Sequence, residues 1–205
     1  MNRDTLERPM IKFDNEHDRR TFLKYAALVG VGGTLAATMP IADVFAAGDD
    51  VGILNYALTL EYLESEFYQK GLAANILGDD SKYITPIAAH EKAHVAAITA
   101  TLKKLGATPV AKPTFVFPAT TFTDKATFLT TAVTFEETGV KAYQGQVTLI
   151  KSGAILGAAA SIAGVESRHA AVLNYLAQTP PVPNPVEQMA TMDETLATVK
   201  PFLGA

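Results

Sequence analysis

Two glutamate–histidine pairs, each spaced by one helical turn and preceded by another glutamate thirty residues upstream, restrict this chain more than any other feature. The pairs are Glu91 with His94 and Glu166 with His169, and the upstream residues are Glu61 and Glu136. Side chains three positions apart on a helix share a face, so each pair presents a carboxylate and an imidazole together. A shift of 75 residues superimposes Glu61 on Glu136, Glu91 on Glu166 and His94 on His169. The same shift carries Tyr68 onto Tyr143, Ile87 onto Ile162, Ala88 onto Ala163 and Ala96 onto Ala171. The chain therefore contains one helical hairpin twice.

All six residues interrupt apolar stripes. Leu54, Leu58, Glu61, Ser65, Tyr68 and Leu72 recur at three- and four-residue steps and predict a helix over 50–75. A second helix, over 84–105, carries Ile87, Glu91, His94, Ile98, Leu102 and Leu105, with Gly106 as its stop. A third, capped by Thr123 or Asp124, carries Leu129, Ala132, Glu136, Val140, Tyr143, Val147 and Ile150. The fourth, over 154–178, carries Ile155, Ala159, Ile162, Glu166, His169, Leu173 and Leu176. Pro180, Pro181, Pro183 and Pro185 end it, and a short amphipathic segment over 186–198 follows.

Connection lengths set the topology. The links at Gly78-Asp79-Asp80 and Lys151-Ser152-Gly153 are short and force antiparallel neighbours. Residues 106–122 carry three prolines and, at roughly 3.3 Å per residue, reach the length of a bundle. The expected fold is all-α: a four-helix bundle of two antiparallel hairpins, a long crossover between helices two and three, and a short C-terminal helix. Thr114-Phe115-Val116-Phe117 reads as extended coil, since the sequence offers no strand to pair with it. The expected division is 1–46 as an export signal, 47–180 as the bundle and 181–205 as a proline-rich linker with a terminal helix.

Four carboxylates inside a bundle protonate or lose several kcal/mol each unless a cation compensates them. Two divalent ions balance four negative charges. Oxygen donors with one imidazole per ion suit iron or manganese better than magnesium or structural zinc. The chain has no cysteine, which excludes disulfides, thiolate clusters and a thiol nucleophile. Its 17 basic and 21 acidic residues leave no basic surplus for nucleic acid.

Several neighbours compete for roles. Tyr68 and Tyr143 lie seven residues after Glu61 and Glu136, on the same face. They can bond the ligand shell, carry a transient radical or fill the core. Glu64 and Glu137 are rival ligands, although the repeat offset favours Glu61 and Glu136. His90 points about 100° round the helix from Glu91 and reads as a surface or interhelical hydrogen-bonding histidine rather than a seventh ligand. Lys92 and Arg168 are expected to face solvent, and Glu66, Asp193 and Glu194 read as solvated faces.

Arg19-Arg20-Thr21-Phe22-Leu23-Lys24, then an uncharged run from Tyr25 to Ala42 and Val44-Phe45-Ala46-Ala47, resembles a twin-arginine export signal. Asp18 stands where Ser or Thr is more usual. The resemblance implies the twin-arginine translocase as a partner, cleavage near Ala46/Ala47, and a periplasmic or cell-surface protein. An uncleaved anchor is the competing reading.

Leu-Thr-Leu-Glu-Tyr-Leu-Glu (58–64), Phe-Glu-Glu-Thr-Gly-Val-Lys-Ala-Tyr (135–143) and Ala-Gly-Val-Glu-Ser-Arg-His-Ala-Ala (163–171) carry a second resemblance. Over 50–178 the chain resembles the ferritin-like superfamily of carboxylate-bridged dimetal proteins. More narrowly, it is similar to exported bacterial ferritin-like proteins, which are kin to plant desiccation-related proteins. The resemblance implies a diiron oxidoreductase in which Glu61, Glu91, His94, Glu136, Glu166 and His169 hold two iron ions. That protein oxidises ferrous iron or reduces oxygen or peroxide. It leaves open a dimanganese catalase holding two manganese ions, a homo-oligomeric iron store and a non-enzymatic stress-protection scaffold.

Overall fold

The computed structural model describes residues 49–204. The export-signal segment and the cleavage point near Ala46/Ala47 lie outside the described residues. Among the described residues five α-helices follow one another: α1 Asp50–Ala73, α2 Ser81–Lys104, α3 Lys125–Gln146, α4 Gly153–Leu176 and α5 Met192–Val199. Short 3-10 turns at Gly78–Asp80 and Lys200–Phe202 complete the regular structure. The all-helical expectation holds, with one isolated β-bridge among the described residues.

Local chemistry sets the ends of the helices. Asp49 caps α1 by accepting from the Gly52 amide at 2.7 Å, and Asp124 caps α3 by accepting from the Thr127 amide at 2.7 Å. Thr191 and Glu194 form a reciprocal capping box on α5. α2 begins at Ser81, earlier than the stripe indicates, because the preceding 3-10 turn leaves Asp80 already in helical conformation. α3 stops at Gln146, short of Ile150. The carboxylate of Asp50 accepts from the Lys151 and Ser152 amides at 2.7 and 2.8 Å, so the chain must leave the α3 axis before that link.

The hairpins α1–α2 and α3–α4 pack together, with α1 against α3 and α2 against α4. Two bonds between α1 and α3, Tyr68 to Glu136 and Tyr143 to Glu61, run in opposite sequence order and make that pair antiparallel. A long crossover between α2 and α3 is what this arrangement requires.

α1 is buried all round over its first half, from Gly52 to Glu61. A helix without a wet face needs cover on its outer side, and here the crossover supplies it. Asn55 Oδ1 accepts from the Val110 amide at 2.7 Å, and Phe117 and Phe122 lie 6.0 and 5.7 Å from the Phe67 ring. Lys112 pairs with Glu66 at 2.7 Å, as does Lys70, so Glu66 is a half-buried clamp rather than a solvated face. Phe67 stacks on Phe128 at 4.6 Å, and a Cβ on Gly71 would stand 2.1 Å from that Phe128 ring.

The reading of Thr114–Phe117 as unpaired coil needs correction. Phe115 forms an antiparallel bridge with Leu203, Val116 donates to the Phe202 carbonyl at 2.9 Å, and Gly204 donates to the Thr114 carbonyl at 2.8 Å. The partner is the C-terminal tail, which folds back over its own bundle and sets the Phe202 ring edge-on to Phe135 at 4.7 Å. The terminal helix is also shorter than the expected 186–198. Before it, the Ala190 amide donates to the Lys141 carbonyl at 3.0 Å, and the chain runs so close to Gly145 that a side chain there would collide with it.

Candidate metal centre

Each of the four long helices delivers one glutamate to the same point in the core. Glu61, Glu91, Glu136 and Glu166 are 0% exposed, and His94 and His169 are buried beside them. The six side chains form two overlapping sets. Glu61, Glu91, His94 and Glu166 make one; Glu91, Glu136, Glu166 and His169 make the other. Within each set the donor atoms lie within 4.8 Å of one another. Glu91 and Glu166 belong to both sets, so each hairpin lends its second-helix glutamate to the other hairpin's set.

Both imidazoles turn Nδ1 inward. His94 Nδ1 lies 3.2 Å from Glu61 Oε2, 3.3 Å from Glu91 Oε2 and 2.9 Å from Glu166 Oε1. His169 Nδ1 lies 3.0 Å from Glu91 Oε1, 3.3 Å from Glu136 Oε2 and 3.5 Å from Glu166 Oε2. Yet Glu91 Oε1, Glu136 Oε2, both Glu166 oxygens and His169 Nδ1 lack a hydrogen bond of proper geometry. Buried polar atoms are almost always satisfied, so five convergent orphans mark a place for a cation. The donor set fits a pair of divalent metal ions, with carboxylate oxygen and imidazole nitrogen as ligands.

Tyr68 and Tyr143 bond the ligand shell. Tyr68 Oη donates to Glu136 Oε1 at 2.6 Å and Tyr143 Oη to Glu61 Oε1 at 2.5 Å. Each tyrosine occupies one carboxylate oxygen and leaves the other, Oε2, facing the cluster. Burial and the nearby carboxylates hold both phenols well above their ordinary range, so both remain donors.

The metal-free cluster compensates its charge with protons. Burial pushes the Glu61 carboxyl up to about 7 even against the pull of His94, and pushes Glu136 up to about 8 with help from the charge of Glu166. Burial alone would lower His169, but its contacts with Glu136, Glu166 and Glu91 push it up to about 12. His94 is raised in the same way, above all by Glu61. Burial and Glu136 act upward on Glu91, and the close imidazoles of His169 and His94 still bring it below its ordinary value.

Neither rival, Glu64 nor Glu137, belongs to either donor set. Glu137 Oε1 accepts from Asn174 Nδ2 at 2.8 Å and belongs to neither set. Glu64 is buried but also outside both sets; burial and four neighbouring carboxylates hold its carboxyl well above the ordinary range. Lys92 and Arg168 are exposed.

His90 is an interhelical histidine: its Nδ1 lies 2.9 Å from Nε2 of His169, with the two rings stacked at 5.2 Å. Its specific contact with His169 was missed in the sequence, although the repeat carries a trace of it. The shift that matches His94 with His169 matches His90 with Val165, so the two imidazoles cannot have the same backing.

Two helical hairpins closing around a buried glutamate–histidine cluster define the ferritin-like class of helical bundles. The family model of the ferritin-like domain matches residues 49–179, and the chain belongs to that family. No curated protein matches the chain in sequence.

Proposed function

We propose that this chain is an exported dimetal-carboxylate protein, diiron when loaded, that oxidises ferrous iron or reduces dioxygen or peroxide in the cell envelope. The observation that carries the reading is the sharing of Glu91 and Glu166 between two four-residue sets. Two adjacent ions would be held jointly by Glu91 and Glu166, one of them also by Glu61 and His94 and the other by Glu136 and His169. Iron bound there supplies one-electron redox chemistry that none of these side chains offers alone.

The chain's own residues do the remaining work. Tyr143 and Tyr68 fix Glu61 and Glu136 by one oxygen each. His90 holds the outer nitrogen of His169 and thereby fixes the ring whose Nδ1 faces the centre. The apolar bundle excludes water and keeps the carboxylates from being solvated one by one. Taken as substrate, two ferrous ions lose one electron each. Dioxygen accepts the pair with two protons to give hydrogen peroxide, or hydrogen peroxide accepts it with two protons to give two waters.

The Arg19-Arg20 motif and the small residues at Ala46/Ala47 support export through the twin-arginine translocase. The direct test is ferrous oxidation by the purified protein beside His94→Ala and Glu166→Ala variants. Both substitutions are expected to abolish it, and unchanged oxidation in both removes the assignment. Two manganese ions in the purified protein, with oxygen release from peroxide and no reductant, replace it with the catalase reading.

A further inference from the structure

The bundle holds a cavity of about 30 Å³ beside the metal-ligand cluster, where the start of α1 meets the end of α3. Ile53, Ala57, Ile98, Ala142 and Ile162 are among the side chains that line it, all of them buried. Tyr143 forms part of the same wall while its hydroxyl donates to Glu61 at 2.5 Å. The cavity is thus one ring width from a ligand of the candidate centre. Among its few polar lining groups, Gln146 is buried and its Oε1 has no hydrogen-bond partner.

The size admits a molecule of only two or three atoms, since about 10–15 Å³ of such space holds one water. Water needs two to four polar partners. Here the Thr101 and Tyr143 hydroxyls already donate to the Ala97 carbonyl and to Glu61, which leaves the Gln146 amide oxygen as the acceptor in a wall that is otherwise almost wholly apolar. Hydrogen peroxide fares no better: it brings two O–H donors and further lone pairs, and most would be stripped of bonds at a cost of several kcal/mol. Dioxygen carries no donor, gains contact with the aliphatic wall and loses little hydration.

We infer that this cavity is a holding site for dioxygen, which makes dioxygen rather than peroxide the oxidant the bundle is built to admit. The inference rests on the dimetal reading above for its purpose and on the cavity's lining for its selectivity. A second depression, over Tyr143, Ala159, Ala163 and Gly164, shares Tyr143 and Ala159 with the first and opens outward between α3 and α4. On the holding-site reading a small apolar molecule enters from this side, where the α4 wall is built of Ala159, Ala160, Ala163 and Gly164. At the positions equivalent to Ala159, Ala163 and Gly164, α2 carries Ile84, Ala88 and Ala89.

Xenon, an apolar probe of similar size, reports the cavity without any metal. Metal-free protein under xenon pressure, followed by xenon-induced methyl shifts, is expected to respond at Ile53, Ile98 and Ile162. Ala159→Leu should abolish that response and slow dioxygen-driven ferrous oxidation by about tenfold, leaving peroxide-driven oxidation within about twofold. Ile162→Ala, which enlarges the cavity, should strengthen the xenon response and serves if the leucine variant does not fold. No xenon response in the native chain overturns the site, and so does equal slowing with both oxidants. Xenon binding with no turnover of either oxidant overturns the oxidation reading instead.

Discussion

Glu64 and Gly139 occupy equivalent positions of the internal repeat and meet across the bundle, where a Cβ built on Gly139 would stand 3.1 Å from Glu64 Oε1. One hairpin supplies a buried carboxyl and the other supplies the space it fills. The two halves therefore differ at the point where they touch, although their ligands match residue for residue.

Gly139→Ala should destabilise the metal-free protein by about 1 kcal/mol, because the added methyl group must displace a buried carboxyl. For a chain of this size that corresponds to a drop in Tm of about 2–4 °C. In a Glu64→Ala background the same change should cost nothing, since the crowding atom is gone and alanine favours the helix. A double-mutant cycle read by thermal denaturation checks both statements.

The metal-free protein should lose stability as pH rises from 5 to 8. Glu61 and Glu136 move from 4.5 when unfolded to about 7 and about 8 when folded. The fold therefore binds more protons than the unfolded chain across that interval, and the stability present below 4.5 is lost through the folded values. His169, raised from 6.5 to about 12, acts in the same direction above 6.5. Glu91 is lowered and contributes the opposite slope only at more acidic pH. Metal binding requires the carboxylates ionised and should strengthen over the same interval. Tm measured against pH with chelator and with metal should give slopes of opposite sign.

Tyr68→Phe and Tyr143→Phe each remove a donor from a fully buried carboxylate oxygen. Each should cost about 1–3 kcal/mol in the metal-free protein, measured by denaturant unfolding. Unchanged stability in both would show that the two hydrogen bonds are incidental to ordinary core packing.

His90→Ala should change folding little, since the residue stands on the exposed side of α2 and only one face of its ring meets His169. It should nevertheless weaken binding of one metal ion by about 10–100-fold, the usual effect of removing a residue that orients a ligating histidine. The affected ion is the one held by Glu136 and His169. Chelator competition with the variant should resolve one weakened and one normal site.

The buried cluster is legible in the sequence because six charged residues break four apolar stripes at repeated spacing, and burial of charge needs a reason. It shows the hairpin topology because two links are too short for anything else. Phe115 with Leu203 is different: a bridge of one residue on each side, almost ninety positions apart, carries no period to detect. The terminal helix starts later than its amphipathic pattern predicts for a related reason. Residues 186–191 have an amphipathic pattern, but Gly145 admits the chain close against α3 and the extended path prevails. Glu64 beside Gly139 could have been found, since the repeat that aligns the six cluster residues also places a glycine opposite this acid.

Anaerobic titration with ferrous ion, read as bound metal per chain, tests the central claim most directly. The account predicts two ions in the native protein, one in His94→Ala and none in Glu166→Ala, because Glu166 serves both sets. A native protein that binds one ion or none, or a Glu166→Ala variant that still binds two, contradicts it.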